Sequence, residues 1–517
     1  MKSNNTALLT ISNMQVGVGE SPYLGFGKLN NLELFEKPGV AKIQFATKLS
    51  FSTTSLPTAM VYDTLGNQYV GCLSGEFYMN GVLINTGGGI CDLAIISDGT
   101  TDPNGYPIEY VLITRTNDSF NFYGPTYSGL ATFNGGQSGL ASNHWKKIIV
   151  GIDTSTNNTP IVYIGNGNKI GAITNFTAAA AGSPPTYTWN SAALYLQLGH
   201  YAYTMEQQGK YLVIGTHGSP YGYSGAGQFK RAGLFYWDRT STSYNIPIFF
   251  KENGIPQLLQ IQNKLLIGAG NRGRISITDG TNFEQIKRIP FCFNRQWGTL
   301  GNLFPNAMTL HNGEVVVGIS TQNGGGDTQG NYGVYTIPLA PVPTEKGSVQ
   351  YPSNLRNTIS TGYTGNDTSR PLLIGMLHST AADQLYIGWQ DGSTYGVDSI
   401  DIKVVPGYGA VIESPYVQLG TELEKMTAKR AEVNLGAPLV SGQSIRISWR
   451  EDSDSSTWTE MFTWTSTDFG SNISHSGMAN IASKVNVQFK IELNQDNTVA
   501  FGNNIEFRNF QLFQGIN

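Results

Sequence analysis

The 517-residue chain is short of charge: Asp, Glu, Lys and Arg make up 13% of it, about half the roughly 25% usual in soluble domains. It has no basic run and a net charge of −4, which excludes the cationic patch of a sequence-reading nucleic-acid binder. Cysteine is scarce. Cys72, Cys91 and Cys292 are odd in number and lack metal-site spacing, so they read as small buried hydrophobes in a protein made in a reducing cytoplasm. No apolar stretch is long enough for a membrane-spanning helix, and the opening MKSNNTALLTISNMQVGVGES lacks a signal-peptide core, so neither membrane insertion nor secretion by such a signal is expected.

Glycine, tyrosine and phenylalanine are plentiful, with 62 Gly, 26 Tyr and 24 Phe, which favours short strands and tight turns over helices. These residues recur with a period. The strings QYVG, YVLIT, IVYIG, YLVIG, LLIG, VVVG and LYIG end at Gly71, Thr114, Gly165, Gly215, Gly268, Gly318 and Gly388, at intervals of 43, 51, 50, 53, 50 and 70 residues. Each is a short apolar strand, and all but one run into a glycine where backbones crowd. Partner strands follow: GEFYMNG from Gly75, GLATFNG from Gly129, KIGAITN from Lys169, GLFYWD from Gly233, RISITDG from Arg274, GVYTIP from Gly333 and YGVDSI from Tyr395. A third strand precedes most units across a tight turn such as QGK, QNK or NGE.

A four-stranded antiparallel unit repeating near 50 residues is the pattern of a propeller blade. The fold class expected is therefore all-β: a seven-bladed β-propeller over 39–410, followed by a jelly-roll-like β-sandwich over 411–517. Residues 1–38 read as an extended arm or a ring-closing element. The Pro-, Asn- and Ser-rich stretch 338–371 reads as a projecting loop inserted in the last interval. One helical turn is allowed around Thr421–Lys429. Two stacked sandwiches would be the alternative to the propeller.

Four kinds of chemistry can be tested against these residues. A sialidase-like site would need arginines gathered at the axis, and Arg115, Arg231, Arg274 and Arg295 have no spacing that compels this. The turns at Asp279 and Asp454 resemble Asp-boxes, which stabilise a hairpin and do no chemistry. His144, His200, His217, His311, His378 and His475 are scattered singly, as structural histidines are, although His200 and His217 fall on adjacent strands of one unit. There is no GxSxG elbow, and Cys292 sits in an apolar setting. The glycine run at Ser320–Asn331 lacks the Lys-Ser/Thr ending of a phosphate loop, and Asp327 with its Asn neighbours makes only a weak calcium pattern. No catalytic, cofactor or metal residue is thus assigned, and no enzyme activity is expected. Tyr221, Tyr223 and Phe229, in the Gly-Ser loop His217–Phe229, are interface candidates, as is Trp458; such rings either stack on sugars or pack against a neighbouring subunit. Trp449 and Trp464 read as core residues of the second domain.

The run GVGESPYLGFGKLNNLELFEKPGVAKI (17–43) resembles the opening of tail proteins of short-tailed bacteriophages, in which a Gly-rich arm and a Pro-Gly-Val strand lead into a propeller. The propeller-bearing tail nozzle, of the tail tubular protein B class, is similar in plan. That resemblance implies a structural virion protein of the tail: a homo-oligomeric ring, six-fold, joined to an adaptor and other tail proteins, with DNA passing through without sequence-specific binding. It implies no catalytic residues and no cofactor. Two readings from other classes stay open: a carbohydrate-binding, glycan-processing or receptor-binding propeller, and a scaffold of a cellular complex.

Overall fold

The computed structural model describes residues 7–11, 28–30, 32–34, 40–43 and most of 47–514. Within that last span it leaves aside 127–131, 154–158, 180–182, 218–230, 253, 271–273, 289–302, 322–331, 340–341, 344–348, 351–353, 358, 366, 368, 383, 401–408, 420–425, 452–456, 485, 497–498 and 500–502. Among the described residues, no helix is long and apolar enough to cross a membrane.

Blades 1 to 6 pair their strands in sequence order into four-stranded antiparallel units, blade 6 as part of a larger sheet, and with a seventh they form a β-propeller. Blade 1 opens with Pro57–Tyr62 and Gln68–Cys72, blade 2 with Ile90–Ile96 and Tyr110–Arg115, and blade 3 with Ile148–Asp153 and Thr159–Asn166. Blade 4 opens with Tyr201–Gln208 and Tyr211–His217, blade 5 with Gln257–Ile261 and Lys264–Ala269, blade 6 with Met308–His311 and Glu314–Ile319, and blade 7 with Leu372–Ser379 and Leu385–Asp391. The first strand of each blade abuts the first strand of the next, and that of blade 7 abuts that of blade 1, so the ring closes.

The six repeat glycines all lie on second strands, and Thr114 takes the equivalent place in blade 2. Their role is clearance. A Cβ on Gly318 would stand 2.5 Å from Ile374 Cγ2, and one on Gly388 would stand 2.8 Å from Pro57 Cβ, each a residue on the first strand of the following blade. Gly165 is looser, with Ala202 Cβ at 3.5 Å. Thr114 instead uses its hydroxyl, donating to the Lys146 carbonyl oxygen of blade 3 at 2.7 Å. The apolar residues accordingly form separate cores along the seams, one between blades 1 and 2, others between 2 and 3, 3 and 4, 4 and 5, and 7 and 1, and a larger one across blades 5 to 7.

Blade 7 takes its fourth strand from the other end of the chain. Thr47–Ser52 pairs with Thr394–Ile400, and Phe51 packs on Tyr78 of blade 1 at 5.8 Å between ring centres. Ring closure therefore belongs to Thr47–Ser52. The described parts of 1–43 do not form an arm. Ala7–Ile11 and Ala41–Ile43 pair with Glu506–Gln514, and Lys28–Asn30 pairs with Ala410–Glu413. Leu29, Leu32 and Leu34 are fully buried in the core of the C-terminal unit. The apolar residues of KLNNLEL need a core, and an extended arm would have left them in water.

That unit has two sheets facing one core. One contains Met426–Leu435, Ser474–Lys484 and Glu506–Gln514; the other contains Gln443–Glu451, Thr459–Thr465 and Asn486–Gln495. Phe489 of one sheet meets Phe510 of the other at 5.3 Å. Met426–Lys429 is strand, where a helical turn was allowed, and the helix Ser466–Phe469 lies elsewhere.

Two further expectations are revised. The third strand of blade 2 is Phe120–Gly124, and the string GLATFNG contributes to the fourth strand, Thr132–Gln137. The stretch 338–371 does not simply project. Its Asn354–Asn357 is the fourth strand of blade 6, with Leu355 and Ile359 buried, and Asn30 pairs with Leu355 to join that blade to the C-terminal unit. Its far end is pinned to blade 7, where Ser360 binds the Asp398 carboxylate and Thr361 and Arg370 bind Asp391. Polar composition suggested a free loop, but the two apolar anchors and these buried acceptors hold it down.

The clearances predict unequal effects at formally equivalent glycines. Gly318→Ala and Gly268→Val are expected to cost about 1–3 kcal/mol or more by overpacking, while Gly165→Ala should cost less than about 1 kcal/mol. Chemical denaturation of the three variants checks this, and equal losses would contradict the seam argument.

Candidate functional site

First strands surround the axis, so their side chains decide what the axis can do. Near the end where these strands begin, the axis is filled by a polar cluster. Asn306, leading into blade 6, donates to the Thr58 carbonyl oxygen of blade 1 at 2.8 Å and to Asp92 Oδ1 of blade 2 at 3.0 Å. It accepts from Lys147 Nζ of blade 3 at 2.7 Å, and Lys147 pairs with Asp92 at 3.1 Å. Asp92 is almost fully buried and also accepts from the Ile148 backbone. Glu206 of blade 4 lies near Lys147, and burial raises its carboxyl above the usual range. A buried ion pair with its remaining lone pairs satisfied holds the blades in register and offers no free charge to a ligand.

At the end where first strands finish, a pocket of about 640 Å³ opens across blades 7, 1 and 2. Its aromatic wall is Tyr62, His378 and Tyr386. Tyr62 stacks on His378 at 5.5 Å and meets Tyr386 at 6.0 Å. The Gln68 amide donates to the Tyr62 hydroxyl at 2.6 Å and fixes that ring, and burial followed by the Tyr386 hydroxyl raises the Tyr62 phenol. Val61 and Ile95 add apolar surface, and Ser379, Thr380 and Gln384 bring polar groups to the rim. Burial pushes the His378 imidazole down from 6.5 to about 4, so this imidazole is neutral at neutral pH.

The residues singled out from sequence are placed elsewhere. Tyr221, Tyr223 and Phe229 lie outside the described residues, as do Arg295, Cys292, Asp327 and Asp454. Trp458 is half-buried at the C-terminal unit, with the Arg450 guanidinium 4.5 Å and the Lys490 ammonium 5.2 Å from its ring centre, a cation–π arrangement far from the axis in the sequence of elements. Trp464 is a core residue and Trp449 packs against that core.

The arginines do not gather. Arg115 is held by the Gly88 carbonyl oxygen and Asn121, while Arg274 pairs with Glu252 at 2.6 Å and Arg231 is exposed. Asp279 accepts from the Thr281 and Asn282 backbones in a tight hairpin turn, the structural role expected of an Asp-box. His200 and His217 do share blade 4. His200 Nδ1 bonds the Thr216 hydroxyl at 3.0 Å, and His217 packs with His144, Tyr201 and Tyr203. Among the described residues, no group of three metal-ligating side chains occurs. Cys72 and Cys91 are buried, and burial pushes the Cys91 thiol up to about 12.

Sequence reasoning missed the pocket because Tyr62, His378 and Tyr386 are brought together only at the seam between the last and first blades. The one usable signal was Tyr386 inside the repeat string LYIG.

No family model and no curated protein matches the sequence. Solved structures of similar shape include the extracellular domain of a one-component system from B. thetaiotaomicron, at 10% identity and TM-score 0.40, over 74% of this chain and 43% of that one. Another is a glycoside hydrolase family 43 arabinoxylan arabinofuranohydrolase from Bacillus subtilis, at 13% identity and TM-score 0.27, over 89% and 96%. A third is the WD40 domain of Neurospora crassa Pan2, at 9% identity and TM-score 0.39, over 68% and 95%. The chain thus spans less than half the length of the first. All are distant, and the fold rests on the strand pairing itself.

His378 makes a pH prediction. The unfolded chain binds a proton at this residue near 6.5 and the folded chain only near 4, so stability falls as pH drops through that window. His378→Gln should remove this contribution, and thermal melts of both proteins at pH 7.5 and about 4.5 measure it. An equal loss in the two would contradict a half-buried, neutral imidazole.

Proposed function

We propose that the chain is a carbohydrate-binding propeller that does no chemistry on what it binds. The observation that carries this reading is the open pocket at the axial mouth, whose wall of Tyr62, His378 and Tyr386 is aromatic and whose rim is polar. Sugar rings present a C–H face to such a wall and hydroxyls to such a rim, and the volume falls in the usual range for small-ligand sites. The non-catalytic part of the proposal is supported by Arg115 and Arg274, which are committed to structural partners, and by the inert setting of both described thiols. On a glycan array the protein should bind a defined subset and release it unaltered. Tyr386→Ala should weaken that binding by about tenfold. Absence of any bound glycan, or an unaffected variant, would contradict the proposal.

A second reading is the one the phage-tail resemblance implies: a structural virion protein assembled into a ring, six-fold by resemblance, with other tail proteins. It is favoured by apolar side chains left exposed on outer strands, Val82 and Leu83 on blade 1, Ile246 and Phe249 on blade 4 and Phe283 on blade 5, which neighbours in a particle would cover. On this reading DNA would pass through the assembled ring of subunits, since Asn306 and Lys147 occupy each propeller's own axis. Mass photometry of the chain, alone and with candidate tail proteins, is expected to give closed oligomers. Single copies under both conditions would contradict it.

A further inference from the structure

We infer that the axial-mouth pocket selects uncharged sugar rings and rejects those carrying a carboxylate. This rests on the carbohydrate-binding reading above and adds the class of ligand. The argument starts from what lines the pocket: none of the described lining residues is an arginine or a lysine. A carboxylate entering an apolar, partly desolvated site needs a cation or several aligned donors to offset its lost hydration, and without them it stays in water.

The groups present suit a neutral ligand instead. Tyr62 and Tyr386 supply apolar faces, with the Tyr62 ring immobilised by Gln68 and by stacking on His378. An aromatic face carries negative electrostatic potential, which attracts the polarised C–H bonds of a pyranose and repels an anion. Among the described lining residues His378 is the one side chain that could supply a positive charge, and burial pushes its imidazole down to about 4. Lys147 is already held by Asp92 and Asn306, and Asp92 lies near the start of the strand Ile90–Ile96, which meets the pocket at its other end through Ile95. The Ser379 and Thr380 hydroxyls and the Gln384 amide can exchange hydrogen bonds with ring hydroxyls, which serve as both donor and acceptor.

The test uses pairs of ligands that differ only in this charge. Isothermal titration at pH 7.5 sets methyl β-glucoside and methyl β-galactoside against the methyl glycosides of glucuronic and galacturonic acid, which keep the ring and place a carboxylate at C6. At least one neutral member is expected to bind about tenfold or more tighter than its acid. Acids that bind equally or more tightly would overturn the inference and leave carbohydrate binding standing. Silence from all four would overturn it too, with the glycan array then deciding the broader reading alone. Ala382→Arg, on the exposed turn at the pocket rim, keeps the test independent of the aromatic wall. It should bring the acid of the better pair to within about threefold of its neutral partner; an unchanged preference would show that missing positive charge is not what sets selectivity.

Discussion

Everything in this molecule follows from how closely one blade can approach the next. A blade is a thin sheet with two apolar faces, and neither is covered until a neighbour arrives. The approach is limited at the second strand, where a side chain at Gly71, Gly215, Gly318 or Gly388 would collide with residues on or leading into the first strand of the following blade. With only hydrogen at those positions the seams close to interior density, and the core becomes a ring of seams with no central mass. Such a ring has no natural end. An open blade 7 would leave one apolar face and one sheet edge in water, and the chain prevents this by returning Thr47–Ser52 to complete it.

That closure ties the two ends of the chain together. The strand completing blade 7 comes from before blade 1 and pairs Thr47 with Ile400, and the described strands on either side of that pair in sequence, Ala41–Ile43 and Ala410–Glu413, both belong to the C-terminal unit. Lys28–Asn30 then lies between Ala410–Glu413 and the outer strand of blade 6, so one sheet runs from a blade into the second unit. The N-terminal segment is therefore structural glue within one subunit. This weakens the case for an N-terminal arm reaching to neighbours, and leaves exposed outer-strand residues as the better candidates for any assembly contact.

The same closure makes the candidate site. The pocket lies where blade 7 meets blade 1, the one seam whose two sides are more than 300 residues apart in the chain, as Tyr62 and Tyr386 are. The axis is charged at one end and uncharged aromatic at the other. Asp92 and Lys147 satisfy each other within the ring, so the charge that is present there does structural work.

Much of the architecture was legible in the sequence because a repeat writes the same packing problem several times. The second-strand glycines, the alternating third strands and the turns between them are local, and their spacing alone gave seven blades and a change of fold after the last. Composition also set the low charge of the chain, 13% of residues, and its net charge of −4. Other features depended on partners distant in sequence. KLNNLEL looked like part of an arm, since nothing nearby could bury its leucines, and the stretch 338–371 looked like a loop, since its buried acceptors Asp391 and Asp398 lie beyond it. The aromatic pocket was invisible for the same reason: Tyr62, His378 and Tyr386 have no common motif, and only the closing of the ring puts them on one wall. Periodicity is a property of neighbours along the chain and determined the blades; the site is a property of the seam between first and last, and only the tertiary structure could decide it.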